Sequence, residues 1–306
     1  MSSDPARVVC VGVSVVDAIF DVPVLPSGPD KVHASGYREV AGGVAANAAR
    51  AIARLGGHAT LLSRVGADRL AEVLTAEFAA DGVDVTGVAR RRGCRTPFSM
   101  VAIDASGERQ IVNDTDRRLF QGAARIDRES LARADAVLVD TRWPAAALVA
   151  LRSARRRGVP GVIDVDIEPD DPVVLLIRTA SHAVFSRQGL RGLTGEDGIE
   201  RGLALARRFT NAWVAVTAGA AGVFWSEAEG APPRQLPAFP VKAVDTLGAG
   251  DVFHGALALA LGEGRPLQPA LRFAMAAAAL KCTRPGGGAA APYRHEVEAF
   301  LAARAA

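Results

Sequence analysis

The hydrophobic positions of the chain follow two different patterns. Residues 7–13 (RVVCVGV) form a continuous apolar run, which is typical of a strand buried on both faces. Residues 18–40 and 86–113 instead alternate in short stretches that are broken by Pro, Gly and the turn DASG at 104–107. This second pattern predicts antiparallel strands with one exposed face. We therefore expect two kinds of sheet.

The rest of the chain alternates between helical and strand-like segments. Helical patterns occur at 43–56, 68–81, 143–157, 195–209, 250–262, 266–283 and 294–304, and strand-like runs at 59–65, 135–140, 159–165, 181–185 and 212–217. Such alternation predicts a mostly parallel sheet with helices on both faces. We expect one α/β domain over residues 1–306, an αβα sandwich, with a small β-rich lid formed by about 15–40 and 86–113.

Composition and charge agree with an ordinary globular protein. Hydrophobic residues make up 49% of the 306 residues and the formal net charge is +3, with basic and acidic residues interspersed, so we expect no nucleic-acid partner. Cys10, Cys94 and Cys282 lie far apart, which favours free thiols in the cytoplasm. The N-terminus lacks a signal-peptide layout and the apolar run 274–280 is too short to span a bilayer, so we expect no membrane association.

The strongest chemical signal is DTLGAGDVFHGA at 245–256. Gly248, Ala249 and Gly250 precede an apolar helical pattern, so their amides lie at a helix start, where small residues and the helix dipole favour a phosphate. Asp251 stands in the first helical turn, where its carboxylate would stay ionised, orient a hydroxyl group and accept its proton. Acidic residues are also common at helix starts for purely structural reasons, so Asp251 alone does not decide the function.

Two segments together resemble the signatures of the ribokinase (PfkB) family. They are AGGVAANAARAIARLG at 41–56 and DTLGAGD at 245–251, and they occur in the order that the family has. The resemblance implies a ribokinase-like fold and an ATP-dependent sugar kinase. It also implies that Asp251 is the catalytic base and that the amides of Ala249 and Gly250 stabilise the transferring phosphoryl group. Phosphoryl transfer depends mainly on positioning and charge neutralisation, which this arrangement could supply.

The same resemblance places ATP along the last third of the chain. Its partners would come from the turn after the strand at 212–217 and from KCTRPG at 281–286. They are Thr217, Gly219, Gly222, Cys282 and Gly286. The two turn glycines are equally compatible with an ordinary hairpin.

The resemblance also implies metal ions. Mg²⁺ would bind through the ATP phosphates, and Asp245 resembles part of a loop that binds a monovalent cation such as K⁺. The chain departs from the family at Asn-x-x-Glu, which organises water around magnesium. The corresponding stretch here is SRQG at 186–189.

Sugar recognition is predicted near the first strand. Asp17 follows that strand, where open α/β sheets place ligands, and carboxylates and amides are natural partners of sugar hydroxyls. By resemblance the acceptor would contact Asp17, Gly42, Gly43 and Asn47.

A narrower resemblance concerns the acceptor. Four segments are similar to the bacterial 6-deoxy-6-sulfofructose kinases, namely VDTRWP at 139–144, VIDVDIEPDD at 162–171, SHAVFSRQGLRGLTG at 181–195 and LKCTRPGG at 280–287. This implies that Lys31 on a lid strand, Asn113 and Arg142 bind the sulfonate, and that the product is the 1-phosphate. Fructose 6-phosphate, another ketose, ribose and a keto-deoxy sugar acid remain alternatives.

Other classes of protein are less compatible with the sequence. A dinucleotide-dependent oxidoreductase would need Gly-x-Gly-x-x-Gly after the first strand, which here continues as GVS at 12–14. A P-loop kinase would need a Gly-Lys pair, which the sequence does not contain. A catalytically inactive sugar-binding relative would not need Asp251. The open edges and half-apolar face of the lid predict a homodimer that packs lid on lid.

Overall fold

The computed structural model describes residues 4–167, 169–227 and 232–304. A sheet of nine strands runs through this part of the chain in the order β13-β12-β11-β10-β9-β8-β1-β4-β5. The strands are β1 Arg7–Val11, β4 His58–Gly66, β5 Val88–Arg91, β8 Ala136–Val139, β9 Gly161–Val165, β10 His182–Ser186, β11 Trp213–Thr217, β12 Val223–Ser226 and β13 Arg234–Leu236. All neighbours from β5 to β11 pair in parallel, and β12 and β13 continue antiparallel, so the mostly parallel sheet is confirmed.

Helices cover both faces of this large sheet. They are α1 Val44–Arg54, α2 Arg69–Ala80, α3 Arg128–Arg133, α4 Pro144–Arg157, α5 Asp171–Thr179, α6 Arg187–Thr194, α7 Ile199–Ala206, α8 Ala249–Gly262, α9 Leu267–Cys282 and α10 Arg294–Ala302. Side chains of β1 alternate between two cores: Val8 and Cys10 pack with α1, α2, α8, α9 and α10, whereas Val9 and Val11 pack with α3 to α7. The αβα sandwich is therefore confirmed.

One predicted helix has the wrong limits. The pattern at 195–209 predicts a single helix, but Gly195 adopts a left-handed conformation (φ 75°) that ends α6, and α7 begins only at Ile199. Glycine adopts this conformation without strain, which explains why α6 ends here and α7 is a separate helix.

A second sheet has four strands in the order β3-β2-β6-β7, with β2 Val15–Asp21, β3 Gly36–Gly42, β6 Phe98–Ile103 and β7 Arg109–Asp114. We call it the small sheet. Its outer pairs are antiparallel as expected, but β2 and β6 pair in parallel. The predicted lid segment 86–113 is divided, because β5 belongs to the large sheet and pairs with β4. Lys31 lies exposed in the connection between β2 and β3, not on a strand as expected.

None of the helices in the described ranges combines the length and the apolar character that crossing a membrane requires.

Candidate active site

A cavity of about 840 Å³ opens where the small sheet meets the starts of α1, α4 and α8. It brings together most of the residues predicted for sugar binding and catalysis: Asp17, Gly42, Gly43, Asn47, Asn113, Arg142, Gly248 and Asp251. Asp17, Gly42 and Asn113 come from the small sheet, whereas the other five come from the segment after β8 and from the starts of α1 and α8. Residues that are up to about 230 positions apart in sequence thus share one wall.

Asp251 is held in place by Asn47. The Asn47 side-chain amide donates a 2.8 Å hydrogen bond to Oδ2 of Asp251. Helices α1 and α8 can approach this closely because Gly255 has no side chain: a Cβ there would lie 2.5 Å from the Ala48 carbonyl oxygen. The first turn of α8 therefore presents its carboxylate to the cavity in a defined orientation.

The environment of Asp251 raises its pKa to about 8. Burial is the main cause and the negative charge of Asp164 adds to it, while the hydrogen bond from Asn47 works in the opposite direction. This is the reverse of the expectation from a helix start, where the carboxylate would stay ionised. A carboxylate with a raised pKa is a stronger base when it is ionised, which suits proton abstraction from a hydroxyl group.

Asp164 and His254 form a buried pair close to Asp251 that we did not predict. Nδ1 of His254 lies 2.9 Å from Oδ2 of Asp164 and 2.7 Å from the Gly250 carbonyl oxygen, so this nitrogen carries the proton. Asp164 raises the pKa of His254 although burial opposes the shift. A histidine within the DTLGAGDVFHGA segment was the available signal, but its partner on β9 could not be identified from spacing.

The turn that the sequence predicts to bind phosphate depends on glycine. Gly248 caps α8 with a left-handed conformation (φ 77°), and a Cβ there would lie 2.8 Å from the Gly288 amide nitrogen. Gly248 lines the cavity, whereas Ala249 and Gly250 are not among the described lining residues. The Ala249 amide makes only a long 3.3 Å bond to the Thr246 carbonyl oxygen, and Gly250 is exposed.

Asp17 and Asn113 are linked through Ser99, which the sequence did not single out. The Asn113 side-chain amide donates a 3.0 Å hydrogen bond to Ser99 Oγ, and Ser99 also hydrogen-bonds the carboxyl of Asp17. Burial raises the pKa of Asp17 to about 6, partly offset by this bond. The two small-sheet residues therefore form one polar group within the cavity wall.

Arg142 is already paired. Its guanidinium donates two hydrogen bonds to the two oxygens of Asp166, at 2.7 and 2.6 Å. The pKa of Arg142 is raised, because the pairing with Asp166 outweighs burial. This is the bidentate geometry that arginine makes with carboxylates, and it would compete with any anionic ligand.

Asp140 joins the surrounding segments. Its carboxylate, at the end of β8, accepts hydrogen bonds from the backbone amides of Val13 (2.7 Å), Ala45 (3.3 Å) and Arg142 (2.8 Å). Because it is fully buried, a side chain that left these amides unpaired would be unfavourable. The starts of α1 and α4 are thus fixed relative to β1.

Several predicted residues do not reach this cavity. Within the described chain Lys31 is exposed and does not line it, and neither do the five residues assigned to ATP: Thr217, Gly219, Gly222, Cys282 and Gly286. The backbone itself explains why position 222 is a glycine: it has φ 93°, and a Cβ there would lie 2.1 Å from the Leu236 carbonyl oxygen.

Arg117, which we did not predict, lines the cavity, and the described residues offer its guanidinium no hydrogen bond or ion pair.

The residues around Asp245 do not fit a free monovalent cation. Its carboxylate accepts hydrogen bonds from the amides of Leu247, Gly286 and Gly287, at 2.8, 3.0 and 2.8 Å. Its carbonyl oxygen accepts a 2.6 Å hydrogen bond from the ammonium group of Lys281. The place predicted for K⁺ is therefore taken by a positive charge of the protein itself.

The described side chains fit a magnesium ion that is held mainly by the nucleotide and not by the protein. Within the described ranges no group of three or more His, Cys, Asp or Glu residues is placed to hold a metal ion. Mg²⁺ generally keeps few protein ligands and binds substrate phosphates, so this site fits an ion that is bound mainly by ATP.

Comparison with known proteins identifies the family. The model of the family described as pfkB family carbohydrate kinase matches residues 5–294. The crystal structure of a putative ribokinase from Agrobacterium tumefaciens is 39% identical, with a TM-score of 0.93 over 99% of both chains. The structure of Arabidopsis thaliana ribokinase complexed with ribose and ATP is 25% identical, with a TM-score of 0.84 over 97% of this chain and 99% of that one.

A fructokinase of Klebsiella pneumoniae is also similar, at 30% identity over 312 residues, covering 93% of this chain and 97% of the relative. The family match spans nearly the whole chain, and the cavity contains a partly buried carboxylate at a helix start beside polar groups suited to a sugar. The chain therefore belongs to the pfkB family of carbohydrate kinases, and it is an ATP-dependent sugar kinase.

Proposed function

We propose that this kinase phosphorylates a terminal hydroxyl group of an anionic sugar, with 6-deoxy-6-sulfofructose as the first candidate and its 1-phosphate as the product. The observation that carries the proposal is that two arginines, Arg117 and Arg142, line the same cavity as Asp251. A sulfonate presents one negative charge and three acceptor oxygens, which match guanidinium and amide donors.

Asp251 performs the proton transfer in this proposal. Its carboxylate, oriented by the Asn47 amide, accepts a hydrogen bond from the hydroxyl group and takes its proton as the oxygen attacks the γ-phosphorus of ATP. The phosphoryl group passes to that oxygen and ADP leaves. The start of α8 supplies positive electrostatic potential beside the transferring group, and Mg²⁺ supplies further charge neutralisation when bound with ATP. The nucleotide lies along Thr217, Gly219, Gly222, Cys282 and Gly286.

The remaining polar groups hold the sugar. Asp17 and Asn47 bind its hydroxyl groups, and Asn113 together with Arg142 binds the anionic end. Lys31 joins them when the small sheet closes over the bound sugar, since in this structure its side chain is exposed. Arg117 supplies a second guanidinium that no described residue neutralises.

A neutral acceptor such as fructose or ribose is the second candidate. The observation in its favour is the bidentate Arg142–Asp166 pair, which leaves less positive charge for an anion. Ribose is also the sugar in the Arabidopsis complex, and fructose is the acceptor implied by the name of the Klebsiella relative. Fructose 6-phosphate and keto-deoxy sugar acids carry an anion as well and belong in the same comparison.

Arg142→Ala distinguishes the two candidates. Loss of a charge-assisted hydrogen bond should lower kcat/KM for 6-deoxy-6-sulfofructose by roughly 10- to 150-fold and leave kcat/KM for fructose nearly unchanged. Steady-state kinetics with both sugars, fructose 6-phosphate and ribose would measure this. Arg156→Ala, the same change at an exposed position of α4, is the control and should alter neither value. A wild-type enzyme that uses fructose or ribose as efficiently as the anionic sugars would favour the neutral candidate.

We also infer a homodimer that packs small sheet on small sheet. Two large apolar side chains on its edge strands are exposed and lie outside the cavity, namely Tyr37 (56%) and Val112 (58%). Such a surface is unfavourable in water unless a partner covers it. Light scattering should give the dimer mass, and Val112→Glu should shift the protein toward the monomer. Leu175→Glu, at an exposed leucine on α5 outside the small sheet, is the matched control. A monomer mass for the wild type at micromolar concentration would contradict the inference.

A further inference from the structure

A fully buried lysine lies next to the phosphate-binding turn. Lys281, in the last turn of α9, is one of only three lysines in the sequence, and its side chain has no exposed surface. Its ammonium group donates to the Asp245 carbonyl oxygen at 2.6 Å and lies 3.3 Å from Asp245 Oδ2. The phosphoryl transfer described above makes no use of this charge. A buried ammonium is unfavourable without such partners, so its presence requires an explanation.

Asp245 connects this ammonium to the turn that carries the catalytic helix. One carboxylate oxygen accepts the Leu247 amide, and the other accepts the amides of Gly286 and Gly287. The next residue on each side, Gly248 and Gly288, pack backbone against backbone. Lys281 therefore holds Asp245, and Asp245 in turn holds the two segments beside the start of α8, 245–248 and 286–288.

The same oxygens are those that a monovalent cation would use. Carbonyl and carboxylate oxygens are the ligands of hard cations in proteins, and Asp245 offers both types. Here the ammonium takes the carbonyl oxygen and lies within ion-pair distance of the carboxylate. A second cation beside it would be repelled strongly, because two like charges interact more in a buried site than in water. Burial also lowers the pKa of Lys281, while Asp245 favours its charged form.

We propose that Lys281 is a built-in cation that replaces a free monovalent cation at Asp245 and thereby positions the turn 245–250 for phosphoryl transfer. Lys281 is a positioning residue, since it acts through Asp245 and not on the reacting atoms. The proposal rests on the sugar kinase activity but not on the identity of the acceptor.

Monovalent chlorides test this directly. Turnover of the wild type should be equal in potassium, ammonium, sodium and choline chloride at constant ionic strength. Lys281→Ala should lower kcat by roughly 10- to 150-fold, the factor that corresponds to one charge-assisted hydrogen bond. Ammonium or potassium, but not choline, should restore part of that loss, and the recovery should be in kcat and not in KM for the sugar.

Two further variants separate positioning from simple damage. Lys281→Met fills the space with an apolar chain, so it should lose as much activity and recover none with any cation. Lys242→Met makes the same change at an exposed lysine shortly before Asp245 and should behave as the wild type. Thermal unfolding gives an independent readout: potassium chloride should raise the Tm of Lys281→Ala more than choline chloride does, with no such difference for the wild type or Lys281→Met.

Three results would overturn the proposal. They are a wild type that potassium activates severalfold, a Lys281→Ala variant with full turnover, and a Lys281→Ala variant whose kcat and Tm no cation restores. If no tested sugar is phosphorylated, the acceptor assignment fails, and the Tm comparison still decides the role of Lys281.

Discussion

Asp251→Asn should lower kcat by at least about 100-fold, the lower end of the usual contribution of a general base. Asparagine preserves the size of the side chain and can still accept the hydrogen bond from Asn47, but it cannot take the hydroxyl proton. The dissociation constants of ATP and sugar should therefore stay within a few-fold of the wild type. Single-turnover kinetics and calorimetric titration on protein free of host kinases would measure the two effects separately.

The matched control is Asp197→Asn, the same change at an exposed aspartate between α6 and α7, which should leave kcat unaltered. Near-normal turnover in Asp251→Asn would show that another group removes the proton.

The pH dependence gives a second measure of the same residue. Because the pKa of Asp251 in the folded protein is about 8 and its ordinary value is 3.8, kcat/KM should rise with pH and level off above about 8. Stability should change in the opposite direction. Between these two values the folded state holds a proton that the unfolded state has lost, so this group makes the protein less stable as the pH rises from about 4 to 8.

Asp251→Asn removes that dependence, so its stability relative to the wild type should increase from pH 5 to pH 8, as measured by urea unfolding. An Asp251→Asn variant that keeps the wild-type pH dependence of stability would assign the titration to another group. Such a gain in stability at the expense of activity is common for catalytic residues.

Much of the fold follows from hydrophobic periodicity, and the elements that were missed have local reasons. The central strands were predictable because they are buried on both faces and read as continuous apolar runs. The sequence of α6, RQGLRGLT, contains two glycines and has weak helix propensity. It becomes a helix because Ser186 Oγ accepts the Gly189 amide and Leu190 is buried. Tertiary packing decides such a segment, and periodicity does not reveal it.

The candidate site likewise combines residues that the sequence identifies with contacts that it does not reveal. Asn47 and Asp251 lie within local motifs and Asp17 follows the first strand, and the structure places all three on one cavity. The pairs that set charge there join distant segments: Arg142 with Asp166, His254 with Asp164 and Lys281 with Asp245. Which residues meet depends on the order of strands in the sheet and on how α8 and α9 pack, and spacing along the chain does not contain that information. The missing partners explain why the sequence did not predict the raised pKa of Asp251 or the ammonium group beside Asp245.

Arg50 shows how stability and the site are linked. This arginine on α1 is fully buried, and its guanidinium donates to Asp81 (2.6 Å), Glu77 (2.7 Å) and the Ala41 carbonyl oxygen (2.7 Å). It also lies over the ring of Phe78, 4.3 Å from its centroid. The five donors of this planar group reach two carboxylates at the end of α2 and a carbonyl oxygen of β3 at the same time, which no other side chain can reproduce. Burial lowers the pKa of Arg50 while Asp81 and Glu77 counter the shift.

Arg50→Met should therefore lower the free energy of unfolding by roughly 3–5 kcal/mol, the usual effect of removing one partner from a buried ion pair. The value should fall toward the lower limit, because Glu77 and Asp81 keep 32% and 17% of their side-chain surface exposed and water can solvate them in part. Urea unfolding would measure it. Arg90→Met is the matched control, since Arg90 pairs with Glu72 at 3.6 Å on the surface, where such pairs contribute about 1 kcal/mol or less.

Arg50→Met should also affect turnover, because the guanidinium lies 3.4 Å from Oδ1 of Asn47, whose amide orients Asp251. Loss of that contact frees the Asn47 side chain to rotate, so kcat should fall in the folded variant while the KM for ATP changes little. Kinetics well below the Tm of the variant separate this effect from unfolding. If Arg50→Met and Arg90→Met lowered stability equally, the buried cluster would be contributing no more than a surface pair, and the link between α1 packing and the orientation of Asp251 would have to be abandoned.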